Sequence, residues 1–125
     1  MRRKRYRFNL DEPTYKRIDA LLDGFVRKWR DIARKNGVPE HELDGAHGWS
    51  RQSFVEHIVR KANVADAAEL YDGGSWGNFI HGPTRAVSLP FADWELDKID
   101  KVAGESGNRS AALRVIIALA EVDRL

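Results

Sequence analysis

The side chains with the most evident chemistry are cations concentrated at the start of the chain. Five of the first seven residues are positively charged, and they precede the first acidic residue: Arg2, Arg3, Lys4, Arg5 and Arg7. The chain as a whole carries a formal net charge of only +2, so the placement of these cations is what matters. A basic arm of this kind is typical of contact with a polyanion, and the alternative is a solvated run of terminal charges.

Two short polar segments predict helix N-termini that could hold an anion. Ser50 is followed by Arg51 in one segment, and Asn108 is followed by Arg109 in the other. Serine and asparagine are favoured N-cap residues, and the free N–H groups of a first helical turn attract negative charge. Each arginine adds a positive charge at the first helical position.

These caps belong to a pattern that occurs twice: a short alternating strand, an amphipathic helix, and a polar cap that opens a second helix. The first copy runs from RYRFNL (5–10) to WSRQSFVEHIV (49–59), and the second from RAVSLP (85–90) to GNRSAALRVII (107–117). The second-helix caps superpose with a separation of 58 residues, and the strands with a separation of 79. The difference predicts an insertion of about 21 residues in the first copy, placed at 24–47.

Each copy predicts its own elements. In the first, Tyr6, Phe8 and Leu10 alternate with polar residues, as in a strand with one buried face. Asp11 can then cap a helix that ends near Lys35. One apolar stripe is expected to be buried along it: Tyr15, Ile18, Leu22, Phe25, Trp29 and Ile32.

Glycine-rich segments separate the remaining elements. Residues 37–48 predict a loop with one helical turn after Pro39, followed by a helix that Ser50 caps and that Trp49 and Phe54 fasten as a hydrophobic staple. Helical composition continues over 62–72 with a break at Asn63, and 73–83 is the predicted linker. In the second copy, the buried stripe comprises Trp94 or Leu96, then Ile99 and Ala103.

A two-stranded ribbon needs both copies, because each supplies one strand. Antiparallel pairing would place Phe8, Leu10, Val87 and Leu89 over a bundle of four main helices. Each half then resembles a ribbon-helix-helix unit of the MetJ/Arc class of DNA-binding proteins. The resemblance implies a mainly α fold with one two-stranded antiparallel β-ribbon, in which residues 5–72 and 84–125 are two units fused as an intramolecular pseudo-dimer within a single domain, 1–125.

In that family the ribbon enters the major groove of DNA and the second helix grips phosphate at its N-terminus. The residues expected to contact bases are Arg5, Arg7, Asn9, Thr84, Ala86 and Ser88. Those expected to contact phosphate are Arg2, Arg3, Lys4, Ser50, Arg51, Asn108 and Arg109. Arg85 departs from the family pattern, which has an inward apolar residue there, so the second strand is expected to begin at Ala86 or to take a slightly different register.

Composition excludes several other classes of protein. The 125 residues include no cysteine, no phosphate-binding loop and no nucleophile motif, so neither an enzyme nor a cofactor is expected. The four histidines, His41, His47, His57 and His81, share no ligand spacing, so no metal site is expected. The longest apolar run is too short to cross a bilayer, and we expect a cytoplasmic protein of a prokaryote, phage or plasmid.

Three functions follow as hypotheses. The first is sequence-specific binding of double-stranded DNA by a transcriptional repressor or autoregulator, with self-association of chains on adjacent half-sites. The second is a DNA-binding accessory protein of plasmid transfer, partition or phage replication. The third is an antitoxin-like interaction module, which would use the 24–47 insertion as its surface for a protein partner.

Overall fold

The computed structural model of the protein describes residues 4–43, 48–72 and 83–125. Two strands and six α-helices follow one another along these segments: β1 (Lys4–Asp11), α1 (Glu12–Lys35), α2 (Glu40–Leu43), α3 (Arg51–Lys61), α4 (Val64–Asp72), β2 (Thr84–Phe91), α5 (Asp93–Ala103) and α6 (Arg109–Leu119). The described chain is therefore mainly helical, with one two-stranded antiparallel sheet. Residues 73–82 of the predicted linker and 44–47 of the predicted insertion lie outside the described segments.

The ribbon pairs β1 with β2 in the antiparallel direction that the sequence predicts. Phe8 lies opposite Val87 and Arg7 lies opposite Ser88. Each strand is one residue longer at both ends than its alternating pattern indicates, because the ladder also pairs Lys4 with Phe91 and Asp11 with Thr84. Successive side chains point to opposite faces of a strand, so this register separates the side chains that face the helices from those on the outer side of the ribbon.

The helix-facing side of the ribbon forms one wall of the core. Phe8, Leu10 and Leu89 are buried and Val87 is half-buried, as predicted. Phe8 also packs edge-to-face on Phe91, with ring centroids 5.6 Å apart. Aromatic pairs favour this geometry, which adds to the stabilisation from buried apolar area.

Of the two alternatives for the second strand, a start at Ala86 is wrong, because β2 begins at Thr84. Arg85 lies on the helix-facing side, opposite Leu10, yet its side chain stays exposed. Its guanidinium carbon lies 4.7 Å from the centroid of the Tyr15 ring. A cation can stack on an aromatic face while keeping contact with water, so an arginine is accommodated where the pattern expects an apolar residue.

Helix α1 begins and ends as predicted, but its burial is shorter than its apolar stripe. The Asp11 side chain caps it by accepting a hydrogen bond from the Thr14 N–H. The buried residues of the helix are Tyr15, Ile18, Leu21 and Val26. Leu22 and Phe25, which the stripe also predicts to be buried, are half-buried and pack against the core. Trp29 and Ile32, the last members of the stripe, are 50% and 51% exposed. Periodicity identifies one side of a helix, but it does not reveal how far along that side other elements reach.

The middle of the chain follows its local signals. Ser50 caps α3, and the Trp49 and Phe54 rings pack edge-to-face with centroids 5.9 Å apart, as the staple predicts. The predicted turn after Pro39 is α2, and the predicted break at Asn63 separates α3 from α4. Helix α4 packs against α5 and α6. The bundle therefore contains a further helix besides the four main ones, α1, α3, α5 and α6.

The second copy contains the predicted buried stripe, with Leu96 rather than Trp94 as its first member. Leu96 is 8% exposed and Trp94 is 45% exposed. The N-caps of α1 and α5 are Asp11 and Ala92, which are 81 positions apart. A separation of 81 therefore fits the helix starts better than 79. The ladder does not distinguish the two, because it pairs Arg7 with Ser88, which are 81 apart, and also Phe8 with Val87, which are 79 apart. Both separations preserve the alternation of the strands, so the strand pattern alone could not distinguish them.

None of the helices in the three described segments is long and apolar enough to cross a bilayer.

Candidate nucleic-acid interface

The six residues predicted to contact bases all lie on the outer face of the ribbon. The register brings them together in facing pairs that also include Pro90 and Asp11: Arg5 with Pro90, Arg7 with Ser88, Asn9 with Ala86, and Asp11 with Thr84. All six predicted residues are exposed, whereas Asp11 is buried and caps α1. The structure thus gathers the predicted residues on one solvent-facing surface, which we call the outer ribbon face.

One side chain of the outer ribbon face is held by the opposite strand. Arg5 donates from Nε to the Ser88 hydroxyl at 3.0 Å and from Nη2 to the Ser88 carbonyl at 2.9 Å. The guanidinium therefore crosses from β1 to β2. Because these atoms are exposed, water or another hydrogen-bonding partner can replace the contacts at modest cost.

The N-termini of α3 and α6 flank the ribbon on its two edges. The Gln52 side chain, at the second position of α3, donates to the Ser88 carbonyl of β2 at 3.4 Å. The Ser110 hydroxyl, at the second position of α6, accepts from the Asn9 N–H of β1 at 2.9 Å. Each helix start thus contacts the strand from the other half of the chain. Helix N-termini carry a partial positive charge, so both edges of the ribbon favour an anion.

The predicted cap residues occupy the helix ends as expected, and their side chains are engaged there. The Ser50 hydroxyl accepts from the Ser53 N–H at 3.0 Å, and the Asn108 side-chain oxygen accepts from the Ala111 N–H at 3.0 Å. These side chains satisfy first-turn donors. Any anion at these ends would therefore be held by the remaining N–H groups and by neighbouring cations.

The arginine beside each cap is paired with an aspartate on a neighbouring helix. Arg51 donates to both carboxylate oxygens of Asp19, at 3.0 and 2.8 Å, and Arg109 donates to both of Asp100, at 2.7 and 3.1 Å. The hydrogen bond to the aspartate raises the pKa of each arginine above its ordinary value, against an opposing effect of burial. Both side chains remain about half exposed, so each pair lies at the surface.

Aromatic rings lie beneath these arginines. The guanidinium carbon of Arg51 lies 5.5 Å from the Tyr15 ring centroid, and that of Arg109 lies 5.5 Å from the Tyr6 ring centroid. Bidentate pairing and stacking together fix the orientation of a guanidinium. The sequence motifs did not identify Asp19 and Asp100 as partners, although these residues are 81 positions apart, like the N-caps of α1 and α5.

A buried arginine also reaches the ribbon, and no sequence motif singled it out. Arg114 is 6% exposed and donates from Nη1 to the Asn9 carbonyl at 2.9 Å. Burial lowers the pKa of Arg114, and the nearby charge of Asp11 opposes that effect. The sequence signal that could have identified Arg114 was a cation among the apolar residues of α6.

The basic arm is described only in part. Lys4 is exposed at the start of β1, opposite Phe91. Arg2 and Arg3 lie outside the described residues, so their predicted phosphate contacts stay predictions.

The described residues include no group of three or more potential ligands that could hold a metal ion. His57 is packed in an aromatic cluster with Phe25 and Trp49, and its Nε2 lies 2.8 Å from the Leu125 carbonyl oxygen. His41 is exposed on α2, whereas His47 and His81 lie outside the described segments.

No family model, curated protein or solved structure gives a significant match to the chain. The resemblance to ribbon-helix-helix proteins therefore depends on the motifs and on the order of the elements.

Proposed function

We propose that this protein binds double-stranded DNA sequence-specifically, with the ribbon in the major groove, and that it acts as a transcriptional repressor or autoregulator. The observation that carries the proposal is the outer ribbon face, which is polar and exposed and is flanked on both edges by a helix N-terminus. This arrangement offers hydrogen-bonding groups to base edges and positive potential to the phosphates on either side.

The dimensions and chemistry of the outer ribbon face support base recognition. The major groove, about 12 Å wide, admits a two-stranded ribbon and presents a distinct pattern of donors and acceptors for each base pair. Arg5 and Arg7 suit guanine, and Asn9 suits adenine, through paired hydrogen bonds. Ser88 and Thr84 can hydrogen-bond, and Ala86 can contact a thymine methyl group. Arg51 and Arg109 would contact phosphate beside the helix starts, which sets position and affinity rather than sequence.

We further propose that the fold is an intramolecular pseudo-dimer of two ribbon-helix-helix units. Three repeated relationships support it: the N-caps of α1 and α5 are 81 positions apart, as are Asp19 and Asp100; each second helix contacts the strand of the other half; and each cap arginine pairs with an aspartate of its own half. An approximate twofold axis between Arg7 and Ser88 would relate the two strands, the helix starts and the two ion pairs. A homodimer of single units would need two chains to build the same ribbon.

The two halves differ where they would meet bases. With the separation of 81, Arg7 is equivalent to Ser88, Asn9 to Pro90 and Arg5 to Ala86. One strand would therefore offer long polar side chains and the other only small or apolar ones. We expect a DNA site whose phosphate contacts at the two helix starts are nearly symmetric and whose base contacts are not.

Two other functions remain as proposals. An accessory role in plasmid transfer, partition or phage replication uses the same DNA contact for a different purpose. An antitoxin-like role is favoured by one observation, the exposed Trp29 and Ile32 on the 24–47 insertion, because exposed apolar groups of this size are common where proteins meet. A gene for a relaxase or partition ATPase beside this one would favour the former, and stoichiometric co-purification of a partner protein would favour the latter.

Selection of bound duplexes from a random pool tests the DNA-binding proposal. We expect an enriched and asymmetric motif at moderate salt. The variant Arg7→Ala should enrich a weaker motif, whereas Arg27→Ala, which removes one exposed cation of α1 that pairs with Asp23, should enrich the same motif as the natural chain. Failure to enrich any motif would rule out base reading, and a palindromic motif would contradict the assigned asymmetry.

A further inference from the structure

Two side chains of α6 form hydrogen bonds with the main chain of Asn9, at the outer edge of β1. We call this pair of hydrogen bonds the grip. The Asn9 N–H donates to the Ser110 hydroxyl at 2.9 Å, and the Asn9 carbonyl accepts from Nη1 of Arg114 at 2.9 Å. Ser110 and Arg114 are four residues apart, so they lie on one face of the helix. Both main-chain groups of an edge residue are thereby satisfied by side chains rather than by a third strand or by water.

Burying the charged side chain of Arg114 for this contact has a free-energy cost. The side chain is buried, its Nε has no hydrogen-bond partner among the described residues, and desolvation disfavours its charged form. A buried cation is tolerated only where charge and hydrogen bonds compensate it. The Asn9 carbonyl accepts a hydrogen bond from the guanidinium, and Asp11 supplies a nearby negative charge.

Among the described residues, the other half of the chain has no equivalent grip, since Gln52 contacts the main-chain carbonyl of Ser88, which is equivalent to Arg7 rather than to Asn9. The separation of 58 places Gln52 and Glu56 at the positions of Ser110 and Arg114, and the separation of 81 places Pro90 at the position of Asn9. Pro90 has no N–H to donate, and the Glu56 carboxylate pairs with Arg60 and, being an acceptor, cannot donate to a carbonyl. The grip therefore occurs only on the strand that presents Arg7 and Asn9.

We infer that Ser110 and Arg114 are positioning residues that fix the main chain of Asn9 and so aim its side chain at one base pair. The inference rests on the proposed DNA-binding function, and it adds a specificity role for two side chains that contact the main chain of β1 rather than a base. A side chain that must make two hydrogen bonds to one base loses discrimination when its backbone can shift, because the wrong base is then accommodated more easily.

The test compares Ser110→Ala, Ser110→Thr and the natural chain on the selected duplex and on duplexes changed at single base pairs. Ser110→Ala should lose about two- to tenfold of its preference at the base pair that Asn9 reads, the effect of one hydrogen bond, and should keep its preference elsewhere. Ser110→Thr, which retains the hydroxyl, should restore the preference. In an Asn9→Ala background, Ser110→Ala should have no further effect on discrimination.

A purely structural role for Ser110 predicts a different result. It would weaken binding to all duplexes alike, or it would act equally with and without the Asn9 side chain, and either outcome would overturn the inference. The variant Gln52→Ala changes the corresponding position of α3 and should leave the Asn9 base pair unaffected. Arg114→Met should show the same selective loss as Ser110→Ala; if it fails to fold, the serine variants decide.

A measurement without DNA separates this inference from the proposed function. The Asn9 amide hydrogen should exchange faster with solvent in Ser110→Ala than in the natural chain, because its acceptor is removed. Unchanged exchange would overturn the grip itself. Absence of any sequence preference in the natural chain, together with faster exchange in the variant, would instead refute the DNA-binding function and with it the specificity role.

Discussion

Arg51 and Asp19 form a bidentate ion pair between α3 and α1, with N–O distances of 3.0 and 2.8 Å. The arginine proposed to contact phosphate thus already has an anionic partner in the free protein. The pair orients the guanidinium, yet the carboxylate also lowers the positive potential at the start of α3. Arg109 and Asp100 repeat the relationship at the start of α6.

Asp19→Asn should strengthen binding to DNA of any sequence. The substitution removes a negative charge beside Arg51, and we expect a higher affinity with a steeper dependence on salt. The loss of folding stability should be about 1 kcal/mol or less, because the pair is half exposed. Titration of labelled duplexes at several salt concentrations measures the effect.

Asp23→Asn provides the matched control for charge. It removes the same charge from α1, where Asp23 pairs with Arg27 at an exposed position. Its effect on DNA affinity should be clearly smaller. Equal effects of the two variants would show that only net charge matters and would contradict a specific role for the Arg51 site.

Asn9→Ala and Arg7→Ala should each lose discrimination between the preferred duplex and one changed at a single base pair. Each good paired contact to a base contributes about 1 to 3 kcal/mol of discrimination, so the preference should fall by about that amount. Competition binding with single-base-pair variants of the selected duplex measures it. Undiminished selectivity in both variants would refute the assigned role of the ribbon, and Arg27→Ala controls for loss of an arginine elsewhere.

The two strands, the starts of α1, α3 and α6 and most of the buried sides of α1 and α5 could be predicted from the sequence, since these depend on local patterns. Alternation identified Phe8 and Leu10 as buried residues of the ribbon, and a cap with its staple located the start of α3. Local patterns could not separate a strand offset of 79 from one of 81, because both preserve alternation. They also could not show that α1 extends beyond the elements that bury it, so that Trp29 is exposed.

The site could be predicted in part for the same reason. Which strand residues share the outer ribbon face follows from period two, and the structure brings all of them together. The partners of Arg51 and Asn9 come instead from α1 and α6. Such contacts depend on how helices pack in three dimensions, and a single sequence does not encode that packing as a readable spacing.

Removal of residues 2–4 should weaken binding to all duplexes by a similar factor. Lysine and arginine side chains that neutralise phosphates release counterions, so the slope of log affinity against log salt should become shallower by about 0.9 for each phosphate that the shortened chain no longer neutralises. The selected motif should not change. The same titrations on specific and random duplexes measure both quantities, and an unchanged slope would show that the arm does not bind DNA.

Phe8→Ala should strongly destabilise the fold. Phe8 is fully buried at the centre of the ribbon and packs on Phe91, so truncation leaves a cavity between the strands and the helices. The expected cost is about 3 to 5 kcal/mol in the free energy of unfolding, measured by urea denaturation. Ile32→Ala removes an apolar side chain that is 51% exposed and should cost about 0.5 kcal/mol or less. Similar costs would contradict the described core.

Glu95→Gln should destabilise the protein through a buried polar network. Glu95 is fully buried, its carboxylate accepts from the Ala92 N–H at 2.8 Å at the start of α5, and it accepts from Nε of Arg60 at 2.7 Å. The neutral amide can replace one of these contacts but presents a donor where two acceptors are needed, so Arg60 loses a charged partner on α5. Because Glu56 also pairs with Arg60, the expected cost is about 1 to 3 kcal/mol in the free energy of unfolding.

Glu12→Gln makes the same substitution at an exposed position that pairs with Lys16, and it should change stability by about 0.5 kcal/mol or less. An equally small effect at Glu95 would indicate that water or a rearranged Arg60 satisfies the network at no cost.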